Sequence, residues 1–115
     1  LELMKIHYVT SNTGKFDEAR AIFQKLAGFE IVHTPLHLEE IQGNSRDIAL
    51  HKIKQAHSIL KAACLIDDIS LHCAAIGGLP GPYVRSFLEA IGDTGIATLI
   101  SHYKDSSCKV VCNIA

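Results

Sequence analysis

Residues 9–15 combine a polar turn with a lysine at a point where a predicted strand passes into a predicted helix. The first backbone N–H groups of a helix lack intrahelical partners, and the helix dipole favours negative charge there. A polar turn followed by Lys15 therefore fits a bound phosphate group. The alternative is a capped turn without a ligand. Residues 9–15 do not form a Walker A loop, because no glycine lies five residues before Gly14 and Phe16 occupies the magnesium-binding Ser/Thr position.

Lys52 interrupts the apolar side of a predicted long helix. At about 100° per residue, Lys52 falls on the arc between Ile48 and Ala56, whereas the other polar side chains of this segment fall on the opposite arc. Burying an ammonium group is costly unless an anion meets it. Lys52 therefore either extends past the edge of the core into solvent or reaches an anionic site.

Two adjacent acidic pairs, Glu39-Glu40 and Asp67-Asp68, are candidate metal ligands. The second pair follows the apolar run 64–66, and open α/β sheets bind ligands beyond the carboxyl ends of their strands. Two carboxylates from separate segments, together with substrate phosphates, make a typical Mg²⁺ site. Exposed loop carboxylates without a role are the alternative, but two adjacent charges at a strand end favour function.

The histidines and cysteines do not form a metal-binding pattern. Pro35 lies between His33 and His37 and prevents a shared helix face, and Cys108 and Cys112 are four residues apart in a predicted strand. A zinc site is therefore not expected. The four cysteines are expected to be reduced, in a cytoplasmic protein, because the chain shows no secretion signal.

Length and composition indicate one small globular domain. The 115 residues are 48% hydrophobic and 20% charged, which excludes a disordered or collagen-like chain. The net charge of −1 gives no support for bulk attraction to nucleic acid or to an anionic membrane. No apolar run approaches the roughly 20 residues of a membrane span. Residues 1–3, before Met4, are expected to have been added for expression, which leaves a single α/β domain over 4–115.

Strands and helices alternate along the chain, as hydrophobic periodicity and turn residues predict. Strands are predicted over 5–10, 29–34, 70–75 and 108–114, with a short apolar run at 64–66. The first helix is predicted from the apolar face formed by Ala19, Ile22, Phe23 and Leu26, and a second over 45–63 with Ser45 as N-cap. Two more helices are predicted, one on each side of Gly92, and loops at 37–44 and 77–82. This order predicts an α/β fold with a mixed, partly parallel, twisted sheet flanked by helices.

Four segments, in this order, resemble the inosine triphosphate pyrophosphatase family. Residues 10–15 are similar to its Thr-Gly-Asn-x-x-Lys loop, and residues 40–43, with Lys52 after them, to its Glu-x-Gln-Gly segment and following lysine. Asp67-Asp68 stands where the family has Glu-Asp, and residues 75–83 resemble its Ala-Leu-Gly-Gly-x-Pro-Gly-x-Tyr block. The order and spacing of the four together are specific. The resemblance implies the large lobe of that family's fold.

The chain departs from the family pattern in three respects. Ser11 replaces a glycine of the phosphate loop, Asp67 replaces a glutamate, and Ile69 replaces a Ser/Thr. The resemblance covers only about the first three-fifths of a full-length member. The Phe-x-Trp-Asp-Pro and Ser-His-Arg segments, which in the family hold the purine base, have no counterpart here, so a C-terminally truncated member is expected.

The resemblance implies hydrolysis of purine nucleoside triphosphates with non-standard bases, such as ITP, dITP and XTP, to the monophosphate and pyrophosphate. It implies Mg²⁺, with Mn²⁺ as a substitute, held by Glu40 and Asp68. Asp68, Lys15 and Lys52 would be catalytic. The substrate would contact a larger set: Thr10, Ser11, Asn12, Thr13, Gly14, Lys15, Lys52, Asp67, Asp68 and, more weakly, Arg85.

Two other functional classes compete with this enzyme. The first is a catalytically incompetent family member that only binds phosphates or dimerises, which the absent base-binding segments favour. The second is a nucleic-acid-binding module. A stripe of basic and aromatic residues would indicate such a module, and this sequence has no such stripe. The open apolar edge of the strand at 108–115 invites pairing with another chain, so a homodimer is expected.

Overall fold

The computed structural model describes residues 2–115. The expectation that residues 1–3 were added for expression falls partly on Leu1, which lies outside the described residues; Glu2 and Leu3 are exposed. The chain forms two compact units. The first contains the residues up to Gln42 together with 47–67 and 114–115, and the second contains 43–46 and 68–113. The single domain over 4–115 stays a prediction.

The first unit is built on parallel strand pairing. Its elements are β1 (Met4–Tyr8), α1 (Thr13–Phe23), β2 (Phe29–His33), most of α2 (Ser45–Leu60) and β3 (Cys64–Leu65). β1 is the central strand and pairs in parallel with β2 on one side and with β3 on the other. Parallel neighbours require a crossover between them, and α1 and α2 occupy the two crossover segments. The carboxyl ends of β1, β2 and β3 therefore lie at one edge of this sheet.

One small apolar core supports this edge. Val9, Ala49, Ala56 and Ile66 are all at most 6% exposed and form one cluster. α2 contributes to it with the arc that its sequence predicts, because Ile48, Ala49 and Ala56 are the buried residues of that helix. The other members of the cluster are partly buried: Leu36, Leu38, Ile53, Leu60, Cys64 and Ala115.

The second unit contains antiparallel pairing. Its elements are β4 (Asp67–Cys73), β5 (Leu79–Gly81), α3 (Val84–Ser101) and β6 (Cys108–Ile114), except that the first residue of β4 and the last residue of β6 belong to the first unit. The strand order is β5-β4-β6, and β4 and β5 are antiparallel. α3 consists of two helical segments, because Gly92 has φ 69° and ψ 177° in its middle. The residue that was predicted to separate two helices does so.

The α/β prediction with a partly parallel sheet is confirmed, but several boundaries were wrong. The strand predicted over 5–10 ends at Tyr8, and the one predicted over 70–75 begins at Asp67 and ends at Cys73. The predicted loop 77–82 contains β5, because its backbone finds antiparallel partners on β4. α2 ends at Leu60 rather than at 63.

Two local predictions about helices were also wrong. Ser45 does not cap α2: it is the first helical residue, and its buried hydroxyl makes no hydrogen bond within the described part of the chain. The predicted apolar face of α1 is only partly covered, since Ile22 is 62% exposed and Leu26, 50% exposed, lies beyond the end of the helix. No helix over residues 2–115 is long and apolar enough to cross a membrane.

Candidate active site

The turn between β1 and α1 is ordered by its own polar side chains. Asn12 is the N-cap of α1, and its Oδ1 accepts a hydrogen bond from the Lys15 backbone N–H at 3.1 Å. The Asn12 N–H donates to Thr10 Oγ1 at 3.1 Å. His33 Nε2 lies 2.8 Å from the Thr10 carbonyl oxygen, and its ring stacks on Phe16. The structure thus shows the capped turn, and its use as a phosphate site stays a prediction.

The rest of this turn faces solvent. Ser11, Asn12, Thr13 and Gly14 are exposed, and Thr10 is half-buried. Thr13 and Gly14 are the first two helical residues of α1, so their N–H groups precede the helical hydrogen-bonded ladder. The geometry is that of an open helix N-terminus that an anion could approach.

Lys15 and Asp67 meet at the carboxyl edge of the first sheet. Lys15 Nζ lies 3.1 Å from Asp67 Oδ2, and their side chains are 28% and 12% exposed. The Tyr8 hydroxyl donates to the other oxygen, Asp67 Oδ1, at 2.5 Å. Because β1 and β3 are parallel neighbours, Tyr8 at the end of β1 and Asp67, two residues after β3, come to the same edge. The Asp67 carboxylate is therefore fixed by one charged and one neutral donor.

Lys52 meets an anion, as one of the two alternatives for it requires. Lys52 Nζ lies 2.6 Å from Glu40 Oε1. The lysine side chain is 14% exposed and that of Glu40 is 56% exposed. The preceding Glu39 is held by α2 as well, since its N–H donates to Gln55 Oε1 at 2.8 Å. The segment before α2 therefore lies against this helix, so that the Glu40 carboxylate contacts Lys52.

The structure places the remaining predicted residues in the second unit. Asp68 is the second residue of β4 and is half-buried. Successive side chains on a strand point to opposite faces, so Asp68 points away from the face of β4 that Asp67 occupies. Arg85 is exposed in the first turn of α3. The structure brings Lys15 together with Asp67, and Lys52 with Glu40.

Sequence reasoning missed Tyr8. It was read only as part of a buried strand, whereas its hydroxyl holds the Asp67 carboxylate. The presence of a tyrosine in a predicted strand could have pointed to this role, because the hydroxyl of a buried tyrosine ordinarily has a hydrogen-bond partner. At 5% exposure Tyr8 needed such a partner within the protein.

The chemistry of the candidate metal ligands fits a hard cation, although no preformed cage exists. Over residues 2–115 no group of three or more His, Cys, Asp or Glu side chains could hold a metal ion. Mg²⁺ does not need such a cage, since it binds through one or two carboxylates, waters and substrate phosphates. The side chain of Glu40 is 56% exposed, so its carboxylate is accessible to a cation.

Two curated proteins are similar in sequence to most of this chain. Inosine triphosphate pyrophosphatases of Chaetomium globosum and Mycosarcoma maydis are each 36% identical over 110 residues, covering 96% and 94% of this chain. The chain spans 56% and 57% of their lengths.

Solved structures show the same fold. A HAM1 protein from Coxiella burnetii superimposes with a TM-score of 0.72 at 22% identity, covering 98% of this chain and 62% of that one. The Staphylococcus aureus Ham1 protein gives 0.67 at 21% identity, covering 96% and 61%. The model of the Ham1 family matches residues 6–115. The family resemblance is thereby confirmed, and this chain belongs to the Ham1 family.

Proposed function

We propose that the protein hydrolyses purine nucleoside triphosphates with non-standard bases, such as ITP, dITP and XTP, to the monophosphate and pyrophosphate. In this reaction water attacks phosphorus, one phosphoanhydride bond breaks, and pyrophosphate leaves. The barrier to phosphoryl transfer is lowered mainly by positioning and by neutralising charge. The names of the curated relatives support the substrate class.

The observation that carries the proposal is the pairing of two lysines with two carboxylates in the first unit. Lys15 pairs with Asp67 and Lys52 with Glu40, so the four charges sum to zero. An incoming triphosphate competes with the carboxylates for both ammonium groups. The Glu40 carboxylate, once Lys52 binds the substrate, is then available to a cation. A site of this kind exchanges internal ion pairs for substrate and metal together.

Each residue has a separate role in the proposed reaction. Lys15 and the turn formed by residues 10–14 neutralise and orient the phosphates, Lys52 does so from α2, and Arg85 is a weaker candidate. Asp67 keeps Lys15 in position before substrate binds. When bound, Mg²⁺ supplies positive charge to the phosphate oxygens. Glu40 and Asp68 would hold it, and Asp68 would orient the attacking water and accept its proton.

The test is pyrophosphate release from ITP by this chain, with Mg²⁺ and with a chelator. We expect release only with the metal, and a fall of about 100-fold or more in Asp68→Asn, as for loss of a general base. Lys15→Met and Lys52→Met should each weaken triphosphate binding about tenfold, or ~1.4 kcal/mol. Lys54→Met is the matched control, because Lys54 is an exposed lysine two residues further along α2.

Three outcomes separate the proposals. Equal rates for the native chain and Asp68→Asn would remove Asp68 from its role. Loss of binding in Lys54→Met as large as in Lys52→Met would show a nonspecific charge effect. Triphosphate binding without pyrophosphate release would support the catalytically incompetent alternative instead.

Dimerisation is the second part of the proposal. β6 lies at the edge of its sheet, and Val110 and Ile114 on it are 69% and 70% exposed. An exposed apolar edge strand is a template for pairing with another chain. Light scattering should therefore find a dimer, and a monomer at all concentrations would contradict it. The cytoplasmic location stays a prediction.

A further inference from the structure

Two cysteine thiols on neighbouring strands of the second unit touch each other. Cys73 Sγ and Cys108 Sγ lie 3.0 Å apart, and all four cysteines of the chain are free thiols. Cys73 is the last residue of β4 and is fully buried, whereas Cys108 is the first residue of β6 and is exposed. The Cys108 sulfur also lies 3.8 Å from the Ser106 carbonyl oxygen. Neither cysteine has a part in the proposed hydrolysis.

The backbone brings these two residues close together. β4 and β6 are neighbours in their sheet, and the Ala74 N–H donates to the Ser107 carbonyl at 3.0 Å. The residue after Cys73 is thus bonded to the residue before Cys108. Cys73 and Cys108 are therefore held side by side where β4 ends and β6 begins.

This position suits a covalent bond between the sulfurs. The two sulfur atoms already lie 3.0 Å apart. The sulfurs would have to approach by about 1 Å to reach a disulfide length of roughly 2.05 Å. Side-chain torsions alone can supply a movement of that size.

We propose that Cys73 and Cys108 form a reversible intramolecular disulfide when the chain meets a low-molecular-weight disulfide. The Cys108 thiol loses its proton to solvent, and its sulfur attacks one sulfur of the small disulfide. That S–S bond breaks, and one small thiol leaves after taking a proton. Cys73 then loses its proton, attacks Cys108 Sγ and displaces the second small thiol. The chain loses two protons and two electrons, and the small disulfide is reduced to two thiols.

Burial sets the order of these two steps. Only Cys108 is open to a molecule in solution, and burial, followed by the hydrogen bond and charge interaction with Cys108, raises the pKa of Cys73 to about 11. A buried thiol of this kind is a poor first nucleophile. Once Cys108 carries the small thiol, the attacked sulfur lies beside Cys73, and proximity favours ring closure.

The other two cysteines are not equivalent. Cys112 is exposed on the same strand as Cys108 and on the same face, but four residues of strand separate them by about 13 Å, which no disulfide spans. Cys64 is half-buried on β3, and burial raises the pKa of its thiol. Cys112 is therefore a matched control, since it shares exposure and strand with Cys108 but has no opposing thiol.

The test treats the reduced native chain with oxidised glutathione, followed by acid quenching, thiol titration and intact-mass measurement. We expect the thiols of Cys73 and Cys108 to disappear into one internal link, which removes two hydrogen atoms, whereas the exposed Cys112 takes up one glutathione. Proteolysis should give one linked peptide pair containing Cys73 and Cys108. Dithiothreitol should restore four thiols, and the oxidised chain should unfold at higher urea because the link closes a long loop.

Variants separate the proposed site from general thiol oxidation. Cys73→Ala should retain one glutathione on Cys108, Cys108→Ser should form no internal link, and Cys112→Ser should form the internal link and carry no glutathione. Cys108 is exposed, so Cys108→Ser tests the proposal even if Cys73→Ala fails to fold. Glutathione that persists on Cys108 of the native chain, a linked peptide containing Cys112 or Cys64, or the same pairing pattern in urea would each overturn it.

Discussion

Replacing Tyr8 by phenylalanine tests whether the Tyr8 hydroxyl holds the Asp67 carboxylate. The change removes one oxygen atom and leaves the ring in a position that is 5% exposed, so the loss of packing is small. The hydroxyl bonds a carboxylate at 2.5 Å, and that side chain is 12% exposed. Hydrogen bonds to charged groups contribute about 1.5–3 kcal/mol. Because Lys15 still pairs with Asp67, we expect a loss near the middle of that range, ~2 kcal/mol.

Urea denaturation measures this loss as a shift of the midpoint. With a slope of about 1–3 kcal/mol/M for small proteins, the midpoint should fall by about 1 M at unchanged slope. Tyr103→Phe is the control, since Tyr103 is 50% exposed and its change should stay within about 0.5 kcal/mol. In an Asp67→Asn background, Tyr8→Phe should cost at least about 1 kcal/mol less. Equal effects of Tyr8→Phe in both backgrounds would refute the hydrogen-bond explanation.

Three further predictions concern other parts of the chain. Glu40→Gln should lower the free energy of unfolding by about 1–2 kcal/mol, because it leaves the largely buried Lys52 ammonium without this carboxylate. Lys52→Met should be neutral or stabilising, and equal losses of stability for the two variants in urea titrations would contradict this prediction. Gly92→Ala should cost about 1–2 kcal/mol, because φ is 69° there and a side chain strains that conformation although no atom lies within 4 Å of its Cβ; an unchanged thermal midpoint would be the contrary result. Burial raises the pKa of Cys73 from 9.0 to about 11, so the folded chain keeps a proton that the unfolded chain loses, and stability should fall as pH rises through that interval; midpoints measured across it should show a shallower fall in Cys73→Ala.

The sequence could predict features that depend on local pattern. The apolar arc of α2 and the break at Gly92 follow from residue type and helical spacing, and both are present in the structure. Because Lys52 interrupts that arc, the sequence also predicted that this lysine either reaches solvent or meets an anion. Its identity as Glu40 could not be predicted, because the path of the segment before α2 depends on packing.

Two kinds of feature could not be predicted from the sequence: contacts between distant segments, and the short strand β5. The Tyr8–Asp67 bond joins residues 59 positions apart, and no local pattern encodes which strand ends become neighbours. β5 consists of Leu79, Pro80 and Gly81, two of which are poor strand formers. Proline is tolerated at the edge of a sheet, and β5 is an edge strand beside β4, so tertiary pairing overrides propensity there.

The central position of β1 has a consequence for the order in which the chain assembles. The His7–Thr34 hydrogen bond beside β2 links residues 27 positions apart, whereas Tyr8 and Asp67 are 59 apart. Each doubling of a loop costs about 0.6 kcal/mol of closure entropy, and the longer closure also needs α2 in place. We therefore expect β1, α1 and β2 to associate before β3 joins them. We expect the Lys15–Asp67 pair to form after them, so that a folding chain acquires the turn at residues 10–15 before the carboxylate that pairs with Lys15.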